Sequence, residues 1–307
     1  MNVLNRHFLL IALSASLVAL LFPPSFIWVK PLIAPLLALI MFGMGTTISA
    51  GDFRDVWRKR NIVLLAAVVQ YTVMPGLAVL IGSVLRLPEE LMIGMVLVGS
   101  CPSGTASNVI VYLSKGNVPL SVTMTMFSTM LAPVLTPTII YLLLQRSIDV
   151  SFSDLFLSVF QLVALPLVAG LLVRHFFAKQ TAQLETVLPS ISVISITLII
   201  ACVMALNAER MLAFPVAVIV AVVLHNLGGL AAGYAVATLA RCEVIDRRTI
   251  AIEIGMQNSG LGVTLANQFF QPLSALPGAL FSLWHNLSGI ALARNWNEKA
   301  TAVKSEA

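Results

Sequence analysis

The sequence predicts an all-α polytopic membrane protein with ten transmembrane helices. Of its 307 residues, 59% are hydrophobic and only 10% are charged, whereas a soluble domain carries about 25% charged residues because water covers its surface. The apolar residues form long unbroken runs, not the polar–apolar alternation of a membrane β-barrel. Since each helical crossing needs about 20 residues, the chain has room for ten crossings.

The first apolar run resembles a secretory signal in its position. No clear small-residue cleavage site follows it, and the apolar sequence continues past Pro23 and Pro24 to Val29. We therefore expect this run to be the first spanning helix. In order, the ten predicted runs are 8–28, 31–49, 61–85, 91–113, 118–144, 155–173, 187–206, 213–240, 249–270 and 274–293.

The basic residues predict the orientation of these runs. With the N-terminus inside, 14 of the 18 Lys and Arg residues fall on the inner side, and the outer four are Lys30, Arg86, Arg146 and Arg210. This positive-inside bias predicts that both termini are cytoplasmic, and we expect a multi-pass protein of the inner (plasma) membrane. Because the net charge of +5 arises from short clusters between apolar runs, we expect the lipid bilayer as surroundings and no nucleic acid as partner.

The two halves of the chain resemble each other loosely. A run with Gln70 and Pro75 precedes the polar stretch 99–108, and a run with His225 and Asn226 precedes the polar stretch 253–260. Each half has five runs, so equivalent helices point in opposite directions. The pattern predicts two inverted five-helix repeats, which is a common plan for secondary transporters.

Glu253 is the one acidic residue that falls within an apolar run. A charge at the centre of a spanning helix costs about 2.5–3.5 kcal/mol on insertion scales, so it needs a compensating partner. No Lys or Arg stands at a matching depth in any run. A bound metal cation, a proton, or a hydrogen-bond network around a neutral carboxyl remain as partners.

Polar residues and poor helix formers indicate that two runs are broken helices. The stretch 256–259 lies between Gly255 and Gly260, and the stretch 102–108 contains Pro102 and Gly104. A break releases backbone carbonyls that suit Na⁺, while the N-termini of the half-helices suit a carboxylate substrate. Two broken helices in corresponding positions are the best sequence indication of a transporter's binding site.

Ser121 and Thr125 are four residues apart and share one helical face. Hydroxyl residues in membrane helices often bond their own preceding carbonyls. Beside an unpaired carboxylate and two polar breaks, we favour the interpretation that these hydroxyls coordinate a cation.

Three motifs resemble those of the bile acid–sodium symporter family, especially its bacterial members. They are Gly-Thr-Ala-Ser-Asn at 104–108, Glu-Ile-Gly-Met-Gln-Asn-Ser-Gly at 253–260, and the segment 277–289 that contains Trp284-His285-Asn286. The resemblance covers essentially the whole chain. Ser103 differs, since it stands where relatives often have a second glycine.

The resemblance implies core and panel domains in which the fourth and ninth helices are broken and cross. The panel would comprise 1–60 and 155–206, the core 61–145 and 213–295, and a cytoplasmic tail 296–307. One sodium site would use Ser107, Asn108, Ser121, Thr125 and Glu253. A second would use Gln70, Glu253, Met256, Gln257 and the Ile254 carbonyl. The substrate cavity would be lined by Thr105, Asn258, His285 and Asn286.

The predicted function is therefore sodium-coupled symport of an organic anion by alternating access. The substrate would be bile-acid-like or a small branched hydroxy or keto acid of the pantoate type. One alternative is a proton-coupled transporter with Glu253 as proton carrier. Another is a non-transporting membrane receptor, which the short tail without a signalling domain argues against. No enzyme motif appears in a plausible context, and no obligatory protein partner is evident.

Overall fold

The computed structural model describes residues 8–144, 150–184, 187–211 and 216–305. Within these ranges the regular structure is helical, apart from one antiparallel bridge between Ser103 and Gln257. The charges at Arg6 and Arg146, which entered the predicted orientation, lie outside the described residues.

The helices follow the apolar runs and the segments between them. In the first half of the chain they are α1 Phe8–Leu21, α2 Pro24–Ile27, α3 Ile33–Thr47, α4 Ala50–Arg58, α5 Arg60–Val84, α6 Glu89–Gly99, α7 Ala106–Leu113 and α8 Val118–Leu144. In the second half they are α9 Phe152–Val159, α10 Leu165–Phe176, α11 Ala178–Leu184, α12 Leu188–Leu206, α13 Ala208–Met211, α14 Val216–Leu239, α15 Val244–Gly255, α16 Ser259–Phe269 and α17 Leu276–Ser305.

Within the described ranges, five helical segments are long and apolar enough to cross a membrane by themselves. The protein is thus a multi-pass helical membrane protein. The five segments are Pro24–Thr47, Arg60–Val84, Val118–Leu144, Phe152–Phe176 and Val216–Leu239.

Three larger differences separate the structure from the predicted runs. The run 8–28 is not one helix, because Pro23 and Pro24 follow α1, which ends at Leu21, and a residue before proline is biased away from helical geometry. The connection after α3 contains the helix α4, which the apolar runs do not predict. The last helix continues past the predicted end of its run at 293 and reaches Ser305.

The predicted interruptions in the fourth and ninth runs are present. The first separates α6, which ends at Gly99, from α7, and the second separates α15, which ends at Gly255, from α16. Glycine favours helix ends because it has no Cβ, and Pro102 in the first gap has no N–H for a helical hydrogen bond. The local sequence therefore explains both gaps.

The helices pack in two groups that meet along the interrupted segments. Helix α12 packs against α1 and α3, and α3 packs against α10, while α5 to α8 pack with α14 to α17. In the first group α3 and α10 approach closely, since a Cβ on Gly45 would lie 2.2 Å from the Leu167 carbonyl oxygen and one on Gly170 would lie 2.2 Å from the Phe42 carbonyl oxygen. Small residues permit this close packing between helices in membranes.

Candidate functional site

The two interruptions cross each other and pair through their backbones. The Gly104 N–H donates to the Met256 carbonyl at 2.8 Å, and the Asn258 N–H donates to the Pro102 carbonyl at 2.8 Å. Four helix ends therefore meet here: the C-termini of α6 and α15 and the N-termini of α7 and α16. Free carbonyls at the C-termini favour a cation, and free N–H groups at the N-termini favour an anion.

Glu253, in the last turns of α15, is 1% exposed and lies beside this crossing. Four hydroxyl groups donate to its carboxylate. Ser107 Oγ lies 2.6 Å from Oε1, Thr125 Oγ1 lies 2.7 Å from Oε2, and Ser103 Oγ lies 2.8 Å from Oε2. Ser121 also donates to Oε1. The hydroxyls solvate the buried carboxylate, but they carry no charge to balance it.

Ser121 and Thr125 also reach Asn108, so five of the predicted residues lie together. Asn108 Oδ1 is 2.7 Å from Ser121 Oγ and 3.4 Å from Thr125 Oγ1. On the same helix, Thr123 instead bonds the Pro119 carbonyl of its own preceding turn. The two predicted hydroxyls thus point at the carboxylate, and their neighbour Thr123 shows the ordinary arrangement of a helical threonine.

A second group of predicted residues is joined by hydrogen bonds beside the crossing. The Gln70 amide nitrogen donates to Gln257 Oε1 at 2.6 Å and to the Cys101 carbonyl at 2.9 Å. The Gln257 amide nitrogen donates to the Ile254 carbonyl at 2.6 Å. The Met256 carbonyl accepts the Gly104 N–H at the crossing. The Met256 side chain packs in a separate apolar cluster with Ile110 and Ile252.

A small void adjoins this second group. Its volume is about 10 Å³, and its lining includes Gln70, Ser103, Glu253 and Ile254. That is close to the volume needed for one water-sized particle. Gln70 Oε1 is buried and accepts no hydrogen bond from the described residues, although buried polar atoms are usually paired. The void and this unpaired oxygen fit a bound ion.

The available ligands are oxygen atoms from hydroxyls, amides, backbone carbonyls and one carboxylate. Hard cations prefer such oxygen ligands, whereas transition metals prefer nitrogen and sulfur. The single negative charge of Glu253 suits a cation of low charge. The arrangement can therefore hold Na⁺.

The four predicted substrate residues occupy different environments. Thr105 precedes α7 at the crossing, and the Asn258 side chain accepts from the Leu261 N–H at 3.2 Å. On α17 the Asn286 amide donates to the Ser282 carbonyl at 2.7 Å, and the His285 ring packs edge-on against Phe281 with centroids 5.2 Å apart. His285 Nδ1 is buried without a partner among the described residues.

The sequence did not identify two contributions to this site. The one hydrogen of the Ser103 hydroxyl is shared between the Glu253 carboxylate, 2.8 Å away, and the Glu253 backbone carbonyl, 2.5 Å away. Asn226 donates to the Gly255 carbonyl at 2.8 Å and accepts from Ser288 at 2.7 Å, so it fixes the end of α15. The polar character of both residues was visible in the sequence, but their partners lie far away along the chain.

Comparison with known proteins gives consistent matches. The model of the sodium bile acid symporter family matches residues 34–214. The uncharacterized sodium-dependent transporter YocS of Bacillus subtilis is 46% identical over 278 residues, which cover 91% of this chain and 87% of that protein. The probable sodium/metabolite cotransporter BASS1 (chloroplastic) is 37% identical over 286 residues in Arabidopsis thaliana, covering 92% of this chain and 71% of that protein. The BASS1 protein of rice (Oryza sativa) is 36% identical over 297 residues, which cover 96% of this chain and 73% of that protein. These relatives are named as transporters and not as enzymes.

Proposed function

Because this chain belongs to the sodium bile acid symporter family, we propose that it is a symporter that uses the sodium gradient to carry a small organic anion across the inner (plasma) membrane. The observation that carries the proposal is the buried Glu253 carboxylate, which is surrounded by hydroxyls at the crossing of two interrupted helices. An ionised carboxylate at this depth is costly without a counter-charge. Bound Na⁺ supplies that charge.

We propose two sodium sites that share Glu253. The first consists of the carboxylate with Ser107, Asn108, Ser121 and Thr125, whose hydrogen bonds already bring their oxygens together. The second consists of Gln70, Glu253, Met256, Gln257 and the Ile254 carbonyl. The void beside Gln70 and the unpaired Gln70 Oε1 support the second site.

Replacing Thr125 with valine tests the first site. Valine keeps the shape of threonine but removes the hydroxyl that faces Glu253 Oε2. Since a hydrogen bond to a charged group contributes about 1.5–3 kcal/mol, we expect the sodium concentration for half-maximal uptake to rise roughly 10- to 100-fold. Thr123→Val is the matched control, because its hydroxyl bonds only its own helix; we expect a change below about twofold. Equal effects of the two substitutions would contradict the site.

We propose that the chain crosses the membrane ten times as two inverted five-helix repeats. Matching connections in the two halves support this topology. After α5, Arg86 has φ 50° and the Leu87 N–H bonds the Gly82 carbonyl at 2.9 Å; after α14, Arg241 has φ 58° and the Cys242 N–H bonds the Ala237 carbonyl at 3.0 Å. Both helices thus end in the same left-handed motif, which also ends α7 at Lys115, and both stand directly before an interrupted helix.

In this topology 1–60 and 155–206 form a panel, while 61–145 and 213–295 form a core that carries the crossing. The cytoplasmic segment 296–307 follows the core, and both termini are cytoplasmic. Sodium binding organises the crossing, the anion binds between core and panel, and relative movement of the two exposes the site to alternate sides. The contacts of α3 with α10 and α12, and of α12 with α1, support this division.

The proposed substrate is bile-acid-like or a small branched hydroxy or keto acid of the pantoate type. Its carboxylate would face the N-termini of α7 and α16, where helix dipoles favour negative charge. The residues proposed to line its site are Thr105, Asn258, His285 and Asn286.

Uptake into proteoliposomes tests the function. We expect an inward sodium gradient, but not an equal potassium gradient, to drive accumulation of labelled pantoate or a bile acid. Two sodium ions and one monoanion carry one net positive charge, which gains about 2.3 kcal/mol per 100 mV of inside-negative potential. Uptake should therefore rise when valinomycin and a potassium gradient impose that potential. Uptake that does not respond to voltage would refute the ratio of two sodium ions to one monoanion. Sodium-independent uptake that follows pH would favour proton coupling through Glu253.

A further inference from the structure

A larger cavity lies between the two helix groups, away from the crossing. Its volume is about 440 Å³, which is within the range of small-molecule sites, about 300–1,000 Å³. One wall comes from the start of α3 and from the region where α9 meets α10, and the other comes from the C-terminal half of α16. In the proposed orientation these segments lie on the outer side of the membrane.

The chemistry of the cavity is that of a site for a small carboxylate. Lys30 is the one charged residue among the described residues that line it, so no lining carboxylate neutralises its ammonium group. Pro31 and Ala34 offer apolar surface, and Asn267 and Gln268 offer amide groups on the opposite wall. A branched hydroxy acid presents the three complementary features: a carboxylate, an apolar branch and a hydroxyl.

The cavity is lined by the same helix, α16, that begins at the crossing. Thr264, which lines the cavity, follows Asn258 by six residues along α16, a rise of about 9 Å. On the opposite, inner side the two helix groups are in apolar contact, because Met126 of α8 packs with Ile48 and Leu167.

A hydrogen bond between the two walls spans this cavity. Gln268 of α16 donates to Ser158 of α9 at 2.8 Å, and both residues line the cavity. The bond links a helix of the core to a helix of the panel. A ligand bound beside it contacts both groups at once, which is the arrangement that lets occupancy influence their relative position.

We propose that this cavity is an outer subsite that binds the carboxylate of the incoming anion through Lys30, before the anion reaches the crossing. That the bound anion is the transported substrate rests on the proposed function. Binding of a carboxylate at Lys30 does not depend on transport. The subsite is distinct from the residues expected to line the substrate site, since none of Thr105, Asn258, His285 and Asn286 lines this cavity.

Binding is measured directly on the full chain in detergent, with its lysines reductively dimethylated by ¹³C so that their charge is kept. The signal of Lys30 is identified by its loss in Lys30→Gln. We expect pantoate to shift this signal saturably, while the neutral pantolactone and an equal concentration of chloride do not. No pantoate shift, or an equal shift with chloride, would overturn the subsite whether or not the protein transports.

Uptake kinetics then test the role of the subsite. In Lys30→Gln we expect the pantoate concentration for half-maximal uptake to rise about tenfold, at the low end of electrostatic focusing effects, with the maximal rate changed less than about twofold. The effect should shrink when choline chloride raises the ionic strength at constant sodium, because salt screens exposed charges. Arg86→Asn is the control: it removes another outer charge at a position of positive φ that asparagine tolerates.

The outcomes separate the two proposals. An unchanged half-saturating concentration in Lys30→Gln, or an equal rise in Arg86→Asn, would refute the outer subsite while sodium-driven uptake by the wild type still supports the symporter. Absence of sodium-driven pantoate uptake in the wild type, with the Lys30 signal still shifting, would leave the subsite standing and refute pantoate as cargo.

Discussion

Replacing Glu253 with glutamine is expected to reduce sodium-driven uptake at least about 100-fold. The carboxylate is the one charge shared by both proposed sodium sites, and it accepts from Ser107, Ser121 and Thr125. Loss of a partner that only orients a metal ligand already costs about 10- to 100-fold in metal affinity, so loss of the charged ligand should cost more. Uptake of labelled pantoate across a range of sodium concentrations measures the effect.

Stability in sodium-free buffer separates this loss from misfolding. A neutral glutamine has nearly the same volume and avoids the cost of an uncompensated charge at this depth. We therefore expect Glu253→Gln to unfold in potassium buffer at the same temperature as the wild type or higher. Glu253→Asp retains the charge but shortens the side chain, so it should keep part of the activity. Uptake by Glu253→Gln near the wild-type level would show that the carboxylate is not the sodium ligand.

Gly104→Ala is expected to have the second largest effect. A Cβ at this position would lie 2.6 Å from the Gln257 carbonyl oxygen, so the backbone of the other interrupted segment would have to move. The pair of hydrogen bonds made by Gly104 and Asn258 would then lengthen. We expect uptake to fall at least about tenfold and the free energy of unfolding to fall by about 1–3 kcal/mol, as in other overpacked sites.

Gly76→Ala is the matched control for this substitution. Gly76 lies in α5, and a Cβ there meets no atom within 4 Å. Since alanine favours helix over glycine by about 1 kcal/mol, the control should be as stable as the wild type or more stable and should transport normally. Wild-type transport by Gly104→Ala would contradict the requirement for close contact between the interrupted segments.

Those features of the site that depend on membrane depth were predictable from the sequence. Glu253 stood out because a lone carboxylate in an apolar run is costly, and glycine and proline near Gly255 and Pro102 marked the interruptions. Ser121 and Thr125 followed from their helical spacing beside such a carboxylate. In the structure these hydroxyls lie on the carboxylate, and the interruptions occur where the glycines and proline stand.

Features that depend on contacts between distant segments were not predictable. Nothing local to Ser103 indicates that it faces Glu253, which is 150 residues away. Lys30 lies between two apolar runs, and its sequence position does not distinguish it from other basic residues in such connections. The helix α4 was missed because a charged segment between two apolar runs has no apolar run of its own. The run 8–28 was predicted as one helix across Pro23 and Pro24 because hydropathy does not reflect the missing N–H groups of proline.

A sodium titration of the purified wild-type protein tests the sodium site most directly, with thermal unfolding as readout and potassium at equal ionic strength as control. A ligand that binds only the folded state stabilises it by about 2.7 kcal/mol at 100 times its Kd. We predict that sodium raises the unfolding temperature saturably, that potassium does not, and that the effect is lost in Glu253→Gln. An unfolding temperature that is the same in sodium and potassium would contradict the sodium site, and a dependence on pH alone would point to proton coupling.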